Sequence, residues 1–92
     1  MIINVEGHSI TLSEDVVKEY HDTFGRKLFY GDYDHFLEVR LPGIIDGEIK
    51  FAETYGNYSN DKELSDIIER AFNVRIEEYN RMLIDPKYNE GM

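Results

Sequence analysis

From residue 64 onward the chain sets Leu64, Ile67, Ile68, Ala71, Phe72, Ile76, Tyr79, Met82 and Leu83 at intervals that recur with helical spacing. Such spacing gathers side chains onto one side of an α-helix. The opposite side carries Asp66, Glu69, Arg70, Asn73, Glu77, Asn80 and Arg81. Asn60 with Glu63 resembles a capping box at the start, and Pro86 lies just beyond the expected end. A chain of 92 residues buries only about 60–65% of the surface that its unfolded form exposes. One long amphipathic helix therefore commits residues 1–92 to a single domain with one core, and the rest must pack against that stripe.

At the other end, Ile3, Val5, Ile10 and Leu12 are punctuated by Gly7-His8. A two-residue turn there predicts a β-hairpin with Val5 opposite Ile10 and Ile3 opposite Leu12. Ser13 reads as an N-cap, with Glu14 and Asp15 in the first turn and Leu12 and Val17 placed as a hydrophobic staple. The spacing of Val16, Val17, Tyr20 and Phe24 predicts a helix over 14–24. Gly25 is suited to a left-handed C′ position after it.

Leu37-Glu38-Val39-Arg40-Leu41 and Glu48-Ile49-Lys50-Phe51 alternate between apolar and polar residues, the period of a half-buried strand. Two more strands are predicted, joined around Asp46-Gly47. A bulge at Pro42-Gly43 would bring their apolar faces into register, pairing Ile44 with Ile49, Leu41 with Phe51 and Val39 with Glu53. Residues 27–35 fit a strand, a helix or a long loop. The predicted fold is thus α+β: a small antiparallel sheet, made of an N-terminal hairpin and a second strand pair, packed against a short helix and a long C-terminal amphipathic helix.

Nineteen acids stand against ten bases, a net charge of −9. Residues 28–66 hold nine acids and three bases, and so −6 of that −9. This charge is repelled by phosphate backbones and membrane surfaces and draws basic partners, so neither direct nucleic-acid nor membrane binding is expected. There is no cysteine, which removes disulfides, thiolate metal sites and cysteine nucleophiles and fits a cytoplasmic address. His8, His21 and His35 lack the i, i+4 spacing of two ligands on one helix, and Asp32, Asp34 and His35 lack the later oxygens of a calcium loop. No glycine stands in a phosphate-cradling motif, and no activated nucleophile is legible. No metal, cofactor or catalytic residue is expected, and the chain reads as no enzyme.

Tyr30-Gly31-Asp32-Tyr33-Asp34 and Tyr55-Gly56-Asn57-Tyr58-Ser59 are both polar, aromatic and glycine-broken. Tyrosine gives large contact area at low entropic cost, so such segments suit a protein-binding surface, or loops anchored on the core. Val5-Glu6-Gly7, the helix after it and Phe29-Tyr30-Gly31-Asp32 resemble the first third of barstar-type ribonuclease inhibitors, which are also short and acidic. Past Asp34 the pattern departs. Leu37–Leu41 alternates where that family has an acidic inhibitory helix, and no final parallel strand follows Leu83, so its binding residues do not carry over. In length, acidity and lack of cysteine the chain is similar to phage-encoded inhibitors of bacterial defence nucleases, including anti-CRISPR proteins that occupy DNA-binding surfaces.

The expected function is that of a DNA-mimic inhibitor, a monomer or weak dimer. Tyr30, Asp32, Tyr33, Asp34, Asp46, Glu48, Tyr58 and Asp61 would meet a basic, nucleic-acid-handling protein. The alternative is a non-catalytic homo-oligomeric structural or adaptor module.

Overall fold

The computed structural model describes residues 1–25, 27–28, 31–56 and 58–84, with the side chains of 83 and 84 excepted. Strands β1 (Ile2–Val5) and β2 (His8–Thr11) form an antiparallel hairpin. Helix α1 follows (Glu14–Phe24), then the short turn α2 (Tyr33–His35), a π-helical turn (Phe36–Arg40), α3 (Leu41–Tyr55) and α4 (Asp61–Ile84). The class is α+β, with the hairpin, the short first helix and the long last helix where their sequence patterns put them. Among the described residues no helix is long and apolar enough to cross a membrane.

The hairpin register differs from the expected one by two residues. Val5 pairs with His8 and Ile3 with Ile10, because the turn is Glu6-Gly7, with φ of 52° and 80°. Two consecutive positive φ values make the twist-matched type I′ turn. A slip of two leaves each side chain on its own face, so Val5, Ile10 and Leu12 still reach the core. Gly25 departs too: it is right-handed, with φ −60°. Ser13 precedes α1 in extended conformation, but its side chain makes no capping bond.

The second strand pair is replaced by helix. Phe36, Leu41, Ile45, Ile49 and Ala52 are the buried residues of this stretch, and from Leu41 their steps of four, four and three are helical. Val39 and Phe51, which alternation would turn inward, are more than half exposed. The five-residue step from Phe36 to Leu41 is taken up by the π turn, in which the Leu41 N–H bonds the Phe36 carbonyl. That inserted residue keeps both side chains inward where a regular helix would rotate one of them out. Pro42 sits at the beginning of α3, directly after the π turn, so its missing N–H falls where the regular hydrogen-bond ladder is already interrupted. Neither the Pro42-Gly43 bulge nor the Asp46-Gly47 turn forms, both segments being helical.

The start of α4 is fixed by one half of the expected capping box, while Glu63 reaches back one residue further, to Ser59. Asn60 Oδ1 accepts from the Glu63 N–H at 2.9 Å, and Glu63 Oε2 accepts from the Ser59 N–H at 2.8 Å. The helix then covers the open edge of β2. The N–H groups of Ser9, Thr11 and Ser13 donate to Asp61 Oδ2, Ser65 Oγ and Glu69 Oε1, at 2.9, 2.9 and 2.6 Å. The match is geometric: two residues of strand advance about 6.6–6.8 Å and four residues of helix 6.0 Å. Ser65, buried, passes the chain on by donating to the Asp61 carbonyl at 2.7 Å. An edge that would otherwise template foreign strands is thereby satisfied internally.

Asp61 Oδ1 also accepts from His8 Nδ1 at 2.8 Å. The His8 hydrogen bond first, and the Ser9 N–H second, hold its carboxyl below the ordinary carboxylate value. A lowered folded-state pKa stabilises the fold above the unfolded value of about 4 and ceases to do so as pH falls through the folded value. Asp61→Asn is therefore expected to lower Tm at pH 7 and to flatten the acid limb below about pH 4. Thermal unfolding between pH 7 and pH 2 checks both, and an unchanged acid limb would show that the ladder carries no pH dependence.

Candidate protein-binding face

Tyr30 lies outside the described residues. Asp32 caps α2, its Oδ1 accepting from the His35 N–H at 2.8 Å, which holds Asp34 in the first turn and exposed. Three of the other acids are engaged within the chain. Asp46 pairs with Lys50 at 3.0 Å, and that hydrogen bond and charge raise the Lys50 pKa. Glu48, only 12% exposed, meets Arg75 of α4 at 2.8 Å. Asp61 belongs to the strand-edge ladder. Tyr58 is half-buried on the core, edge-on to His8 at 6.3 Å. Sequence proximity had grouped these residues; the structure disperses Asp46, Glu48, Tyr58 and Asp61 into roles within the fold.

A different group of carboxylates acts on Tyr33 through its charge. The Tyr33 ring packs on the core and stands edge-on to His21, 5.6 Å away. His21 Nε2 donates to the Gly31 carbonyl at 2.9 Å, which brings the chain after α1 back alongside that helix. The Tyr33 hydroxyl is shielded from solvent and has no hydrogen-bond partner among the described residues. Burial raises the Tyr33 pKa above the ordinary phenol value, and the charges of Glu14, Asp22 and Asp34 raise it further. One tyrosine thus feels acids from both ends of α1 and from α2.

The outward arc of α1 completes this face. Glu14, Asp15, Glu19 and Asp22 are exposed there with Lys18 as the one cation. Glu14, Lys18 and Asp22 recur every four residues, so they line one side of the helix. Glu14 and Asp15 were legible in the sequence only as favourable first-turn charges. The i, i+4 recurrence was the available signal for the helix arc, whereas nothing local signals that Asp34 lies on the segment His21 holds to α1. Among the described residues no three His, Asp or Glu side chains are gathered as a metal site would need.

Comparison with protein-family models, curated proteins and solved structures returns no match. The π-helical turn and the start of α3 occupy Leu37–Leu41, where a strand was expected.

Proposed function

We propose that this chain is a non-catalytic, cytoplasmic binding protein whose α1–α2 face engages a basic, nucleic-acid-handling protein. In this reading it is a DNA mimic of the anti-CRISPR type, occupying the phosphate-binding surface of a nuclease or other defence protein. The observation that carries it is the row of Glu14, Asp15, Glu19 and Asp22 exposed along α1, with Asp34 exposed on the segment that the His21–Tyr33 and His21–Gly31 contacts hold to that helix. Carboxylates set at fixed intervals on a helix can satisfy arginines and lysines that otherwise bind phosphates.

The Glu14→Gln/Asp22→Asn/Asp34→Asn variant keeps shape and removes three charges. It is expected to lose about 10- to 100-fold in partner affinity near 0.1 M salt, with a smaller loss at 1 M, where the Debye length is about 3 Å. Its Tm should change little, because relief of repulsion among these acids offsets the lost first-turn charges of Glu14 and Asp34 and the Glu14–Lys18–Asp22 attraction. Immobilised chain, exposed to bacterial lysate, should retain nucleic-acid-binding proteins that duplex DNA displaces and that the triple variant does not hold. Retention of the same proteins by the variant, or indifference to DNA, would assign the acidity to solubility.

A further inference from the structure

We infer that the outward side of α4 is a homodimer seam with a two-fold axis at Val74. Ile67, Ala71, Val74 and Glu78 follow one another at steps of four, three and four, flanked by Arg70 and Arg75, along a shallow groove of about 430 Å³. Val74 is 45% exposed, although the stripe on which it lies is as regular as the one facing the core. On one side the groove is bounded by α3, since Glu48 reaches across to hold Arg75 at 2.8 Å. Phe51 and Tyr55 continue the side of α3 that bears Glu48, at steps of three and four. Both are exposed, with rings 4.8 Å apart. A second exposed apolar pair thus lies on the helix that the Glu48–Arg75 ion pair joins to α4.

The charges identify what covers it. Arg70 and Glu78 stand four residues before and four after Val74, with opposite signs. A two-fold axis through antiparallel helices sets the residue four places before the axis against the one four places after it on the other copy. Arg70 of each copy then meets Glu78 of the second copy, twice, while Val74 meets itself. Ala71, small and next to the axis, allows the helices the 8–10 Å approach usual for packed pairs. A foreign helix would need this arrangement by coincidence, whereas a second copy has it by symmetry. The seam shares no residue with the acidic face, so the two readings stand or fall separately.

Sedimentation equilibrium on the full chain, up to about 1 mM, should give a mass rising from 10.8 kDa toward twice that value. Val74→Asp should raise the dimer dissociation constant at least about tenfold, and Arg70→Glu and Glu78→Arg about tenfold each. The Arg70→Glu/Glu78→Arg double variant should return to within about threefold of the native value. These residues lie about 12 Å apart along one helix, so such recovery can arise only between copies. All three are exposed, and unchanged Tm values verify that the variants fold. A monomer at every concentration overturns the proposal, as does a dimer indifferent to Val74→Asp or a double variant no better than the singles. If the chain stays monomeric and Val74→Asp abolishes capture of a foreign protein, the occupant is that protein.

Discussion

Phe72→Ala is expected to cost about 3–5 kcal/mol, the usual range for truncating a buried aromatic. Phe72 is fully buried at the middle of α4. Its ring stacks on Tyr20 of α1, with centroids 4.5 Å apart and planes at 27°. Tyr20 in turn contacts Phe24 at 4.7 Å and Phe36 of the π turn at 6.3 Å. Removing the Phe72 ring leaves a cavity where three helical segments meet, and none can close it without separating from another. A domain has only about 5–15 kcal/mol of stability in total, so urea unfolding should show the midpoint falling toward zero denaturant. A loss below about 1 kcal/mol would mean that this aromatic cluster is not the core.

Gly47 separates the helical reading of residues 41–55 from the hairpin that their alternation suggested. It lies in the interior of α3, exposed, and a Cβ added there would meet nothing within 4 Å. Gly47→Ala should therefore stabilise by about 0.5–1 kcal/mol, by lowering the entropy of the unfolded chain and exposing less backbone. Gly47→Pro should cost about 3 kcal/mol or more, through the lost N–H and the collision with the preceding turn. Had Asp46-Gly47 been a tight hairpin turn with positive φ, alanine would have been the damaging substitution. Chemical denaturation of the two variants reads both signs, and a destabilising alanine would overturn the α3 assignment.

The terminal elements were legible because each repeats one period without interruption: two across the hairpin, three to four along α1 and α4. The hairpin register was misplaced because Glu6, a residue with a Cβ, adopts the left-handed conformation that a sequence reader assigns to glycine first. The middle was illegible for a different reason. Over five residues, Leu37 to Leu41 satisfies a strand period, and the helical order appears only when Phe36, Leu41, Ile45, Ile49 and Ala52 are taken together. Even then the π turn adds one residue to the first step. Pro42, Gly43 and Gly47 supplied turn signals inside what is helix. Of the candidate face, Asp34 and Tyr33 were visible in the sequence. Glu14 and Asp22 were not, since nothing local records that α1 lies beside α2.

The ladder from Ser9, Thr11 and Ser13 to Asp61, Ser65 and Glu69 spans 52 to 56 residues of chain. During synthesis at about 5–20 residues per second, the hairpin leaves the ribosome roughly 3–10 s before the helix that completes it. Throughout that interval β2 offers its backbone donors to any neighbouring strand, including those of adjacent nascent chains on the same message. The hairpin is completed only by an element made well after it. A nascent chain stalled before α4 is therefore an aggregation hazard until that helix is made.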